Sequence, residues 1–401
     1  MINRRVLKFG GSSVADLEKI RRIADYIKSR VAQKEQLVVV VSAMGKTTDD
    51  LLKKANQITE HPNEKDLALL LTTGEQQTIS YLSITLNDLQ VKSHPLTGYQ
   101  AGIETVGHHL NSKISKVNTE FIDELFETNE VLILAGFQGF NSQGEMTTLG
   151  RGGSDTTAVA LAASLGCPCE IYTDVAGVYS TDPRIFSEAS LLPYVSYEEM
   201  MEMSALGAGV LTSRSMEIAY NYNIPVYLGK TLSTEKGTWI MAQKEMLEKK
   251  AVTGVALDKD MVHVTLNYPE YDTELMNRLF LHLEENEINV DMISQIINNE
   301  GLQLSFTVTN TEEHKIKELC AVLKEKYPNL YFESEQGFVK VSVIGAGMRD
   351  MTGVASKVFR TLIEADIPFY QVTTSEISIS YAIDEENGEK AVTTLCKTFN
   401  L

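Results

Sequence analysis

The chain has 401 residues, enough for two or three domains each with its own core, and its 43% hydrophobic and 22% charged residues are the balance of an ordinary globular protein. A formal net charge of −18 repels a phosphate backbone and argues against nucleic acid as a partner. No run approaches the ~18 apolar residues of a membrane span. Met1-Ile2-Asn3-Arg4-Arg5 leads into polar, glycine-rich sequence instead of a signal core, so a cytoplasmic protein is expected.

In chain order, Val6-Leu7-Lys8-Phe9 predicts a short strand ending in glycines, and Leu17 to Val31 an amphipathic helix. Leu37 to Val41 and Val131 to Ala135 read as strands buried on both faces, with Glu170 to Thr173 and Ile224 to Leu228 as two more. Thr156 to Leu165 is apolar nearly all round and predicts a buried helix. This alternation predicts a doubly wound α/β sheet over 1–245. The charged stretch Lys244 to Lys250 predicts a connector, with the boundary near Gln243.

Beyond it the chain repeats itself. Arg278 to Leu283 aligns with Lys357 to Leu362, and Ile288 to Ser294 with Ile367 to Thr373. Each copy predicts a βαββαβ ferredoxin-like unit, opened by Val262 to Leu266 in the first and Lys340 to Ile344 in the second. Leu330 to Glu333 supplies the closing strand, the sixth element, to the first copy, whereas the second ends after its last helix, Lys390 to Phe399. Val252 to Ala256, a spare strand ahead of the first copy, is expected to complete the second sheet and interlock the repeats, because the alternative is an open edge.

The chemistry concentrates in glycine-rich turns. Lys8-Phe9-Gly10-Gly11-Ser12-Ser13-Val14 joins a strand end to a helix start; its amides, a helix dipole and the Lys8 ammonium suit phosphate. There is no P-loop sequence, and Gly345-Ala346-Gly347 lacks the third glycine of a dinucleotide fingerprint. Gly150-Arg151-Gly152-Gly153-Ser154-Asp155 places a planar guanidinium among glycines; a helix cap is expected at Ser154 and Asp155, but it does not explain the glycines and arginine. Thr73-Gly74-Glu75 enters a helix, where an acid is favourable by the dipole alone. Ser42 to Thr48 follows a buried strand, at the end where open sheets bind ligands. Thr173-Asp174 and Tyr179 to Pro183 are loops that could be plain turns. Cys167, Cys169, Cys320 and Cys396 read as buried thiols, and no histidine spacing suits a metal.

Together these motifs, in order and spacing, resemble the aspartokinase family of the amino-acid kinase superfamily, and the repeats resemble its tandem ACT domains, through Asn289-Val290-Asp291-Met292 and Thr373-Thr374-Ser375-Glu376-Ile377. The resemblance covers essentially the whole chain. It implies an open three-layer amino-acid kinase domain over 1–245 and two interlocked ACT repeats over 246–401, the first spanning 261–335 and the second 338–401 plus the strand at 251–257. It implies transfer of the γ-phosphoryl group of Mg²⁺-ATP to the 4-carboxylate of L-aspartate. By the same resemblance, Lys8 with Phe9, Gly10 and Gly11 stabilises the moving phosphoryl group, Ser42 borders the nucleotide, and Asp155 orients the lysine or the phosphates. Arg151, flanked by Gly152 and Gly153, clamps a substrate carboxylate, Glu75 pairs with the ammonium, and Thr48 and Ser154 hydrogen-bond aspartate. Thr173, Asp174, Tyr179, Asp182 and Pro183 line the adenosine side, with no protein metal site. Asp291, Ser294 and Gln295 are the expected effector residues, for lysine or threonine, and a homodimer or larger assembly forms through the ACT repeats.

The sequence departs from the family pattern at Thr212-Ser213, where relatives often carry His-Pro, at Gly229-Lys230-Thr231, and in the effector loops at Asn267 to Asp272 and Met351-Thr352-Gly353. Two alternatives are a superfamily kinase for another acidic metabolite, such as acetylglutamate, and a catalytically silent amino-acid sensor. Glu75 argues for a free ammonium on the substrate, and intact Lys8, Arg151 and Asp155 argue for turnover.

Overall fold

Val, Ile and Leu runs become interior strands because both faces of the pleat find apolar cover. The computed structural model describes residues 3–242, 250–298, 301–349 and 351–401; the expected boundary near Gln243, and the connector as far as residue 249, lie outside them. The chain divides into two units. The first comprises Met1–Val178, Leu191–Ser204 and Gly209–Leu247, and the second Tyr179–Ser190, Ala205–Ala208 and Glu248–Leu401.

The first unit begins β1 (Asn3–Phe9), α1 (Leu17–Val31), β2 (Glu35–Val41), α2 (Thr47–Ile58), α3 (Glu64–Leu71), α4 (Thr73–Asp88), β3 (Ser93–Leu96), β4 (Ile103–Val106) and β5 (Lys113–Val117). It continues α5 (Thr119–Leu125), β6 (Val131–Ala135), β7 (Gln138–Phe140), β8 (Met146–Thr148), α6 (Gly153–Leu165) and β9 (Cys169–Thr173). Then follow β10 (Tyr194–Ser196), α7 (Tyr197–Met203), α8 (Ser213–Tyr222), β11 (Val226–Lys230) and β12 (Thr238–Met241). The main sheet has the order β10-β12-β11-β9-β1-β2-β6-β3, parallel from β11 through β3. Leu7, Phe9, Leu37, Val39 and Val41 pack on Ile20, Ile23 and Ile27 of α1 and Ile79, Leu82 and Leu86 of α4. The opposite face of β1 and β2 meets α6, which is buried from Gly153 to Ala162. From β1 the chain builds outward to β2 on one side and later to β9 on the other. The reversal lies beside β1, where open sheets bind ligands at their carboxyl ends. A smaller sheet, β5-β4-β7-β8, flanks that end.

In the second unit come β13 (Gly254–Asp258), β14 (Val262–Tyr268), α9 (Thr273–Glu285), β15 (Asp291–Asn298), β16 (Gly301–Val308), α10 (Glu313–Lys326) and β17 (Tyr331–Glu335). They are followed by β18 (Phe338–Ile344), α11 (Val354–Glu364), β19 (Gln371–Thr374), β20 (Ser378–Asp384) and α12 (Gly388–Phe399). The two sheets, β15-β16-β14-β17 and β13-β18-β20-β19, have corresponding orders. β13 pairs antiparallel with β18, Leu257 opposite Val341, so the repeats are interlocked. All four cysteines are buried and unpaired with one another, and burial pushes the Cys167 thiol up to about 11. Among the described residues no helix is long and apolar enough to cross a membrane.

Candidate active site

Lys8, the last residue but one of β1, holds its ammonium 2.6 Å from Asp155 Oδ1 of α6; both residues are buried. The contact is an ion pair without hydrogen-bond alignment. Gly10 turns the chain, donating its N–H to Tyr172 O at 3.2 Å, and its open side faces Lys8 Nζ. Gly11 lies so close to the next loop that an added Cβ would meet Ala43 O at 2.9 Å. The helix expected over Leu17 to Val31 is α1, but its N-terminus is already capped by the Asp16 carboxylate, so the dipole expected beside this loop is not offered to a phosphate. The helix N-terminus that does open here is that of α6. Its cap is Gly152, with no side-chain bond, and Ser154 and Asp155 stand inside the first turn instead of capping it.

Gly74, at the start of α4, lets the helix pack so close to the Ser42–Gly45 loop that an added Cβ would meet Ala43 Cβ at 2.8 Å. That approach buries Glu75, whose Oε1 accepts the Ala43 N–H at 3.1 Å while Oε2 has no partner. Burial pushes the Glu75 carboxyl up to about 7, against the pull of its own and the Ala43 N–H groups. Ser42 donates to Ser154 Oγ at 2.9 Å, tying β2 to α6.

One cavity of about 410 Å³ brings these groups together. Gly11, Ser42, Thr48, Glu75, Arg151, Gly152, Gly153 and Ser154 line it, with Leu52, Leu67, Leu71, Leu110 and Phe137 as its apolar wall. Lys8 and Asp155 adjoin it through Gly10–Gly11 and Ser154. Sequence reasoning missed Phe137, a non-glycine residue at φ +69 held by its N–H to Thr157 Oγ1 and its oxygen to the Leu149 N–H. The signal available was Gly136-Phe137 at a strand's carboxyl end; a Cβ at Gly136 would meet Ser154 Cβ at 2.8 Å. Also missed was Thr231, whose hydroxyl joins Ser13 Oγ at 2.6 Å and donates to Thr173 O at 3.0 Å, linking the glycine loop to the end of β9. Thr212, at the departure from His-Pro, caps α8 and lays its methyl against Gly152.

Other expected residues fall elsewhere. Thr173 and Asp174 stand at the end of β9, hydrogen-bonded to each other and outside the cavity lining. Tyr179, Asp182 and Pro183 belong to the second unit, where the Asp182 carboxylate is engaged by Arg184. Asp291 likewise spends its carboxylate on Lys340, at 2.5 Å, while Ser294 sits at a bulge of β15 and Gln295 is exposed on that edge strand.

The amino acid kinase family model matches residues 3–230, and an ACT domain model residues 341–399. The aspartokinase of Bacillus sp. (strain MGA3) is 42% identical over 401 residues, covering 99% of this chain and 97% of that one. Aspartokinase 2 of Bacillus subtilis (strain 168) is 41% identical over 400 residues, with the same coverage. Among solved structures, E. coli aspartokinase III in complex with aspartate and ADP matches the fold with a TM-score of 0.80 at 23% identity, covering 99% of this chain and 100% of that one. With matches of this extent to both its kinase region and its full length, the chain belongs to the amino acid kinase family and, within it, to the aspartokinases.

Proposed function

We propose that aspartate and ATP meet in this cavity and that the γ-phosphoryl group passes to the 4-carboxylate of L-aspartate there. The observation that carries the reading is the pairing of Glu75 and Arg151 on one wall system: an acid with an unpartnered buried oxygen suits an ammonium, and an exposed guanidinium suits a carboxylate. An α-amino acid carries both groups. Its 4-carboxylate is already ionised at neutral pH, so the site has to supply charge neutralisation and in-line placement more than a base. Lys8 swings from Asp155 to the phosphates, the Gly10–Gly11 and α6 amides hold the charge that develops, and Thr48 and Ser154 fix the substrate. Thr173 and Asp174 flank the adenosine side. Mg²⁺ would ride on the nucleotide phosphates, with Asp155 the acid able to share it.

Acyl phosphate formation on aspartate is the first step toward lysine, threonine, methionine and diaminopimelate. The ACT repeats support feedback by one such end product, lysine or threonine, near Asp291, Ser294 and Gln295, and assembly of a homodimer or larger through their edge strands. The test is ATP-dependent hydroxamate formation with aspartate and with glutamate, repeated with lysine, threonine, methionine and diaminopimelate. Turnover on aspartate, little on glutamate and inhibition by one end product is expected; equal turnover on both substrates would overturn the assignment of the pocket.

A further inference from the structure

Arg151 has to aim its guanidinium without help from its own neighbours. It is exposed, and the glycines on either side, Gly150 at φ +75 and Gly152 at φ +68, carry no side chains that could pin the loop. The loop's direction must come from its two ends. At one end Gly153 enters α6, its N–H donating to Gly150 O at 3.0 Å. At the other end stands Leu149, the residue before Gly150, and its carbonyl is held from α8. Arg214 Nη1 donates to Leu149 O at 2.9 Å, and Nη2 to Ser112 O at 2.6 Å. Ser112 is itself fully buried and bound to Thr148 O through both its N–H and its hydroxyl. Thr212, two residues before Arg214, fills the space beside Gly152, where an added Cβ would come within 2.1 Å of its methyl.

A planar fork that bridges two main-chain oxygens fixes orientation as well as distance, which a point charge such as lysine cannot do. We propose that Arg214 is a positioning residue for substrate recognition: by clamping Leu149 to Ser112 it sets the direction of the Gly150–Gly152 loop and so the reach of Arg151 to a substrate carboxylate. The proposal rests on the reading of Arg151 as that clamp.

The experiment is a double-mutant cycle of Arg214→Ala and Arg151→Ala in the full-length protein, with KM measured for aspartate and for ATP and thermal unfolding recorded for each variant. Arg214→Ala is expected to raise the aspartate KM by about 10- to 100-fold while the ATP KM stays within about twofold, the size of effect a misplacement near 1 Å produces. Arg214→Lys, which reaches one carbonyl only, should fall between the two. In the Arg151→Ala background, Arg214→Ala should add nothing further to the aspartate KM. Additive losses, or equal losses for ATP and aspartate, would overturn the proposal. If both Arg214 variants lose cooperative unfolding, the arginine is a fold residue and the proposal fails. An unchanged aspartate KM in Arg151→Ala alone would instead sink the carboxylate-clamp reading beneath it.

Discussion

Lys8 and Asp155 are 7% and 8% exposed and stand 2.6 Å apart, so removing either leaves the other's charge in a dry site. Lys8→Ala should therefore abolish phosphoryl transfer and also cost about 3–5 kcal/mol of stability, seen as a lowered unfolding midpoint. The double variant Lys8→Met with Asp155→Asn should recover much of that stability while staying inactive; a double variant as unstable as the single one would remove the buried pair from the account. Glu75 carries a pH dependence. Its folded-state value near 7 lies above the ordinary 4.5, so the native state holds the proton more tightly than the unfolded chain does. Stability then falls between pH 4.5 and about 7 and stays lower above it, by up to about 3 kcal/mol, which Glu75→Gln should restore at pH 8. Binding an ammonium requires the ionised form, so the aspartate KM should rise as pH falls below about 7, with the ATP KM flat and the slope absent in Glu75→Gln. The residue type and its place in a helix's first turn are legible in the sequence. Its orphaned oxygen is not, because that depends on Gly74 letting α4 close on Ala43, across a gap of more than thirty residues in the chain.

At the scale of elements, glycines record where backbones touch. Gly152 combines a left-handed φ with the Thr212 methyl at 2.1 Å from any added Cβ. Gly152→Ala should destabilise by about 1–3 kcal/mol and weaken aspartate binding. Adding Thr212→Ser, which removes the methyl and keeps the capping hydroxyl, should recover only the steric part. Calorimetric midpoints for Gly152→Ala, Thr212→Ser and the double variant would show whether strain and contact separate in this way. The dinucleotide-like Gly345-Ala346-Gly347 has a similar origin. A Cβ at Gly345 would meet Ala251 O at 2.3 Å, and one at Gly347 would meet Lys250 O at 2.3 Å, so these glycines admit the irregular segment leading into β13. Strands and helices were readable because burial on one or both faces leaves a period in the sequence. Which residue caps a helix was not: the expected span of α1 is the observed one, but Asp16, not the glycine loop, holds its N-terminus.

For the whole molecule, the second unit takes in a loop, residues 179–190, from near the midpoint of the chain. Phe186 is buried in the core of the second repeat with Val255, Val343 and Leu395, and Val255 N–H donates to Ser180 O at 2.8 Å. Ending the chain at residue 242 would expose Phe186 and strand this loop without its core. Such a fragment should therefore aggregate or unfold without cooperativity, and feedback cannot be relieved cleanly by that cut. A soluble, cooperatively unfolding fragment in a thermal melt would contradict this.

The sequence by itself determined the order of motifs, the alternation that makes a parallel sheet, the repeat, and the spare strand that an open edge demands. Each of these is written in local period, in glycine placement or in the need to pair strand edges. Tertiary structure alone decided which side chains meet. It set Glu75 against Ala43, drew Phe137 and Thr231 to the site, gave Arg214 to the Arg151 loop, handed Asp291 to Lys340 and placed residues 179–190 in the second unit. Those outcomes come from contacts between residues far apart in the chain, where close packing selects partners and no periodicity announces them.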